Sequence, residues 1–217
     1  MVAVVGLVRF IPAPGDFENN TVTILEQARA AARLGAAVVV FPLSALSGVS
    51  PLTPTDADGL DGVEQRTDQA LTKLAQAAEK AGLGGRYLLV GTRGHLAGGA
   101  PQLETALAHK GKIALRYAAG RPDPLATPWA AEHRVAGELA LPGPLGRCPA
   151  FQAHGVRFGI ELAGSGVAAR WPADPGTTLD AVLHQRVGGA FVADQAGRRL
   201  NRDQPSHDGL TLWHTTD

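Results

Sequence analysis

Apolar residues along this chain come in short blocks cut apart by glycine, proline and asparagine, and the spacing inside each block predicts its element. Residues 2–8 form an apolar run broken only by Gly6, the pattern of a strand buried on both faces. Ile11-Pro12-Ala13-Pro14-Gly15-Asp16 cannot extend it, because proline brings no N–H to a sheet, and predicts a loop. A helix is expected over Thr21–Leu34, capped by the side-chain oxygen of Asn19 or Asn20 and stopped at Gly35. Its apolar stripe is Val22, Leu25, Ala28 and Ala32. Ala37-Val38-Val39-Val40-Phe41 is a second buried strand. Strand, helix and strand in this order make a βαβ unit with a parallel sheet.

Further along, Pro51 to Gly62 reads as loop and Val63 to Ala81 as helix, with Val63, Thr67, Ala70, Leu74, Ala78 and Ala81 at helical spacing and Gly82 as the stop. Tyr87-Leu88-Leu89-Val90 is a third strand. Two hairpins follow. Glu104–His109 and Ile113–Tyr117 flank Lys110-Gly111-Lys112, and Ala150–Ala153 and Val156–Leu162 flank His154-Gly155. Strands are also expected near Ala190–Ala193, Arg198–Arg202 and Leu210–Trp213. The long segment Ala118–Pro149 is proline-rich and aperiodic, and compact domains keep such segments where they serve a site or an interface. Nothing repeats, so one continuous domain over 1–217 is the expectation.

Composition narrows the function classes. Twenty basic residues balance twenty acidic ones, which argues against a strongly basic nucleic-acid binder and against an acidic disordered tail. A single cysteine, Cys148, excludes an intramolecular disulfide framework and a multi-cysteine metal site. The histidines are scattered without H-x-H or H-E-x-x-H spacing, so no metal is expected, and no cofactor either. Gly82-Leu83-Gly84-Gly85 precedes a strand rather than following one, which is not a nucleotide-binding arrangement. With no run of 18 apolar residues and no basic leader at Met1-Val2-Ala3, the expectation is a cytoplasmic protein that does not engage a membrane.

The order of motifs resembles the nitrilase, or carbon–nitrogen hydrolase, superfamily, and most of all the amidase domains of glutamine-dependent NAD synthetases. Gly15-Asp16-Phe17-Glu18-Asn19-Asn20 is similar to the family's GD-x-x-x-N opening, and Phe41-Pro42-Leu43-Ser44-Ala45-Leu46-Ser47-Gly48 to its F-P-E-L-A-L-T-G block. Val90-Gly91-Thr92, the hairpin Glu104 to Ile113, the strand Val156 to Leu162 and the segment Val187 to Gly197 match later blocks in order. The resemblance implies an α/β fold, a four-layer α-β-β-α sandwich, shortened after the nucleophile position. Only 25 positions separate Ala163 from Gly188, where family members place at least a further helix and strand.

The resemblance also implies chemistry, and there the residues depart from it. The family uses a Glu–Lys–Cys set: the thiolate attacks an amide or nitrile carbon, the carboxylate manages the proton, and the lysine stabilises the oxyanion. The matching positions hold Leu43, Ala119 and Ala163. A leucine accepts no proton and an alanine attacks no carbonyl, so these three are vestigial positions, expected to converge at strand ends. Glu132, in Glu132-His133-Arg134, resembles the acidic position of a loop that assists the catalytic set. It is a binding candidate, against the plainer reading of a solvated charge. Ser165, between Gly164 and Gly166, is a second candidate, against a plain turn, since no G-x-S-x-G frame surrounds it. Glu161 is a third. It lies in a strand expected to be buried, so it needs a partner: Arg157 on its own strand, or a His or Arg from a neighbouring one, as a structural pair. Cys148, before Pro149, reads as a structural thiol rather than a displaced nucleophile. Arg198, Arg199 and Arg202 read as solvated surface.

The function these readings imply is a degenerate, catalytically inactive hydrolase fold that binds a small amide or carboxylate ligand or a protein partner. Two alternatives stay open: an active amidase with relocated catalytic groups, and a structural subunit pairing with an active paralogue. A shortened region after Ala163 leaves sheet to be covered, so a homodimer with an interface above about 1,000 Å² is expected.

Overall fold

Valine-rich runs and alternating hairpins assemble into two sheets packed face to face. The computed structural model describes residues 3–48, 59–95, 101–119, 140–141, 150–162, 179–186, 188–194, 198–201 and 209–215. The first sheet has six strands. β1 (Val4–Val8), β2 (Val38–Val40) and the start of β3 (Tyr87–His95) run parallel, β4 (Pro101–His109) and β5 (Lys112–Ala119) follow as an antiparallel hairpin, and the edge beside β1 is closed by the strand Leu210–His214. The second sheet contains β6 (Ala140–Leu141), β7 (Ala150–Ala153), β8 (Val156–Leu162), β9 (Ala181–Arg186) and β10 (Gly189–Ala193), in the order β10-β9-β8-β7-β6. Here β8 and β9 are parallel and the other pairs antiparallel. The strand Leu210–His214 is β11.

Two cores result. Between the sheets, Val5, Leu7, Val38, Val40, Leu89 and Leu107 of the first meet Phe151, Phe158, Ile160, Leu183 and Val192 of the second. On the other face of the first sheet, Val39, Val90 and Ala106 meet helix α1 (Phe17–Arg33) and helix α2 (Gly59–Ala78). The parallel strands of the first sheet are thus buried on both faces, which is why they read as continuous apolar runs. Among the described residues no helix covers the outer face of the second sheet.

Several local expectations are revised. Helix α1 begins at Phe17, not Thr21, and its cap is Asp16, whose side chain accepts from the Asn19 N–H at 3.1 Å and from Asn19 Nδ2 at 2.6 Å. Those two hydrogen bonds, the side-chain one foremost, hold the Asp16 carboxyl below its usual range. The buried stripe is Asn20, Ile24, Ala28 and Ala31, while Val22 is exposed. Asn20 is buried to join two loops: its Oδ1 accepts from Ala13 N, and its Nδ2 donates to the carbonyls of Ala13 and Leu46. Helix α2 gives way at Ala78 to a π-helical turn, Glu79–Leu83, in which Gly82 takes a left-handed φ of 77°. Both hairpins stand as expected; their turns put Lys110, Gly111, His154 and Gly155 at positive φ. The strand expected over Arg198–Arg202 is reduced to one bridge, Ala193 to Arg199.

Strand β9 is the element that the sequence pattern hid. The shortening after position 163 spares it: it lies parallel to β8, with Phe158 opposite Ala181 and Leu162 opposite Gln185. Its residues alternate, Ala181, Leu183 and Gln185 inward, Val182, His184 and Arg186 outward, but the polar ending His-Gln-Arg masks the strand in sequence.

Candidate functional site

The C-terminal ends of the parallel strands in the two sheets meet around the loop after β2. Phe41 N donates to Leu89 O and Leu43 N to Arg186 O, both at 2.9 Å, so the loop bridges the first sheet to the end of β9. Gln185, wholly buried, pins the same junction: its Nε2 donates to Phe41 O at 2.7 Å and to Leu89 O at 3.4 Å, while its buried Oε1 has no partner among the described residues. Gly91 is required by this approach, since a Cβ there would stand 2.3 Å from Pro42 O and 2.6 Å from Leu43 Cα. Ser44 turns the chain with a φ of 58°, followed by Ala45 N donating to Pro42 O.

Leu43 is therefore held at a strand-end junction, 1% exposed and within the inter-sheet core. Leu162, the last residue of β8, lies opposite Gln185, one position before the residue whose carbonyl accepts from Leu43. Ala119 ends β5 opposite Leu103, at the same end of the first sheet but three strands from β2, about 14 Å by strand spacing. Ala163, Ser165, Glu132 and Cys148 lie outside the described residues.

Glu161 points to the outer face of the second sheet. Of its two expected kinds of partner, the neighbouring strand supplies it: His184 Nδ1 stands 3.4 Å from Glu161 Oε2, whereas Arg157 is exposed and its backbone N–H donates to Asp180. Burial raises the Glu161 carboxyl above its usual range, with nearby Arg186 opposing. Burial, with Arg186 adding to it, lowers His184 to about 4, so this imidazole is neutral at physiological pH. It stacks on Phe191 with ring centroids 4.3 Å apart, and its buried Nε2 has no hydrogen-bond partner among the described residues.

A second acid–base cluster lies on the helix side of the first sheet. Glu104, 2% exposed, accepts from Arg116 Nε, and Arg116 Nη1 donates to Asp68 Oδ1 of α2 at 2.6 Å. The clamp ties α2 to the β4–β5 hairpin. Arg116 is raised above its ordinary value: its two carboxylates outweigh burial, which works against the charge. Among the described residues no group of three His, Cys, Asp or Glu is placed to hold a metal ion.

The same fold recurs in solved structures. A glutamine-dependent NAD+ synthetase from Acinetobacter baumannii, in complex with adenosine diphosphate, superposes with a TM-score of 0.60 at 15% identity over 99% of this chain. A second such synthetase, from Cytophaga hutchinsonii, gives 0.58 at 14% over 99%. An amidase from Nesterenkonia sp., of the nitrilase superfamily, gives 0.59 at 16% over 98%. The fold is that of the nitrilase superfamily. The chain spans 45% and 43% of the two synthetases but 89% of the amidase. No protein-family model and no curated protein sequence matches it.

Within this nitrilase-like fold, the motif blocks acquire physical roles. The GD-x-x-x-N opening supplies a helix cap in Asp16 and a loop tie in Asn20, and the glycine after Val90 clears the loop that carries Leu43. Gln185, His184 and Arg186 were missed by sequence reasoning because β9 was. The Glu104–Arg116 pair had a readable signal: the hairpin register around Lys110-Gly111 makes them diagonal neighbours.

Proposed function

We propose that this chain is a catalytically silent carbon–nitrogen hydrolase-fold protein that acts by binding a small amide or carboxylate ligand or a partner protein. The observation that carries the reading is Leu43, sealed in the inter-sheet core at the position where the family's motif has its glutamate. A leucine there offers neither a proton acceptor nor a charge to align an amide. Ala119 and Ala163, at the positions of the lysine and the nucleophile in the same motif reading, support it. In one Nesterenkonia amidase mutant the acetamide moiety of fluoroacetamide is covalently added at the active-site cysteine; the present chain offers alanine at the corresponding motif position. Without the thiolate no such adduct forms.

The test is ammonia release from glutamine, asparagine, acetamide and a simple nitrile by the purified chain. The reading expects no release above background. Turnover that disappears in Cys148→Ala or Ser165→Ala would overturn it and establish relocated catalytic groups. Self-association into a homodimer belongs to the same reading. Light scattering that returns one protomer's mass across a wide dilution range would remove it.

A further inference from the structure

The end of the sandwich away from Leu43, where the parallel strands begin, carries an uneven charge. Tyr87 opens β3 there and His109 closes β4, and their rings lie flat on each other with centroids 4.1 Å apart. His154, in the hairpin turn of the second sheet, meets the Tyr87 ring edge-on. His109 Nδ1 donates to Arg86 O at 3.0 Å, and Lys110 N donates to Gly84 O at 3.1 Å, so Arg86 and the Lys110-Gly111-Lys112 turn are held side by side. Lys110 and Lys112 are exposed and Arg86 is half-buried. None of the three is in an ion pair among the described residues. Arg33 and Lys80 stand at the same end, but each lies in the last turn of a helix, where a cation answers the helix dipole. Lys110 and Lys112 belong to a hairpin and serve no helix of their own. The described carboxylates at this end are turned elsewhere. Glu79 lies over Gly84, so close that a Cβ there would collide with it, and Asp180, on the second sheet, accepts from Arg157 N at 2.7 Å.

We propose that Arg86, Lys110 and Lys112, beside the Tyr87–His109 stack, form a docking surface for an extended acidic segment of a partner protein. Strands β3 to β5 span about 10 Å, whereas carboxylates at alternate positions of an extended segment stand about 7 Å apart on one face, so neighbouring acidic side chains reach different cations. Leu34, 58% exposed at the end of α1, adds an apolar contact; it lies three positions before Ala37, whose carbonyl accepts from Tyr87 N. A nucleic acid stacks its bases on open ring faces, and Tyr87 gives one face to His109. A membrane needs a broader apolar anchor than Leu34 supplies. The surface is remote from Leu43, so docking and amide hydrolysis succeed or fail separately.

The test titrates the full chain into a fluorescently labelled peptide rich in glutamate with interspersed leucine, following anisotropy. Saturable binding is expected, weakening as ionic strength rises. K110E combined with K112E should weaken it about tenfold or more, and R86Q by a smaller factor. R9E, a charge reversal at an exposed position at the opposite end of β1, should leave it unchanged, which separates a local surface from net charge. The same peptide with glutamine in place of glutamate should not bind. No saturable binding of the acidic peptide would overturn the proposal, as would equal binding of the glutamine peptide or an equal loss in R9E. So would tighter binding of single-stranded oligothymidylate or of phosphatidylserine vesicles, abolished by the same double variant. If the double variant fails to fold, R86Q and K110Q carry the same comparison.

Discussion

Two clusters of similar residues sit on the two sheets and behave differently. Glu104, Arg116 and Asp68 form a closed network: the arginine lies between two carboxylates and joins a helix to a hairpin. Glu161, His184 and Arg186 form an open one. Its histidine is neutral, its acid–base contact is long at 3.4 Å, one imidazole nitrogen has no partner among the described residues, and its arginine reaches solvent over an aromatic ring. Residue type does not separate the two clusters; the completeness of their hydrogen bonding does. A buried charge held by opposite charges stabilises the fold through those contacts, whereas a long contact beside a neutral imidazole contributes less.

That contrast can be broken experimentally, most strongly at the closed cluster. Arg116→Met leaves Glu104 buried without its cation and should cost about 3–5 kcal/mol in urea unfolding, with much of the loss recovered by adding Glu104→Gln. Recovery is the sharper readout, since a cluster that served a ligand would show no such coupling. Leu43→Glu places a carboxylate in the inter-sheet core and should cost about 3 kcal/mol at neutral pH. A variant of near wild-type stability would mean that the position opens to water, and the silent-site reading would lose its main support.

The open cluster should announce itself through pH. His184 is held at about 4 against an ordinary 6.5, so the unfolded chain takes up its proton first as the solution is acidified. The stability associated with neutral His184 is therefore present above pH 6.5 and lost as pH falls from 6.5 to 4, on the order of 3 kcal/mol. Glu161 acts in the opposite sense: held above its usual range, it contributes most when protonated, and that contribution is lost as pH rises through its folded value. His184→Asn should flatten the acid limb in unfolding measured from pH 7 to 4; an unchanged slope would locate the titration elsewhere. The smallest effect belongs to the pair Asp194–Arg198, whose arginine is 86% exposed. Arg198→Ala should change stability by less than about 0.5 kcal/mol, a reference for surface charge against which the two clusters are measured.

Much of this fold was legible because its strands are apolar on both faces and its turns demand particular residues. Val38-Val39-Val40, Lys110-Gly111 and His154-Gly155 each allow little else. Helix α1 was misplaced by a turn at its start because Asp16, Asn19 and Asn20 are all competent caps; only the tertiary demand for a buried Asn20 between two loops decides among them. Strand β9 is hard to see in the sequence because its last three positions, His184, Gln185 and Arg186, are polar. The site was legible only in part. The Phe41-Pro42 block singles out Leu43 in the sequence, but the company it keeps, Gln185 and the carbonyl of Arg186, comes from a strand some 140 positions away. The partner of Glu161 needed the register of β8 on β9, which no periodicity supplies.

The pairing of β1 with β11 has a consequence for how this chain reaches its fold. Ala3 and Thr215 exchange hydrogen bonds across 212 positions, and Val4 faces His214. Strand β1 lies between β11 and β2 in the first sheet, yet the edge that β11 covers stays open until residues some 200 positions later have been made. Such long-range closure is slow, because the loop entropy must be overcome before the contact forms. During that interval a valine-rich edge is exposed to other nascent chains, the situation in which strands join the wrong partner. Synthesis rate and chaperone supply should thus govern the yield of this protein more than its final stability does.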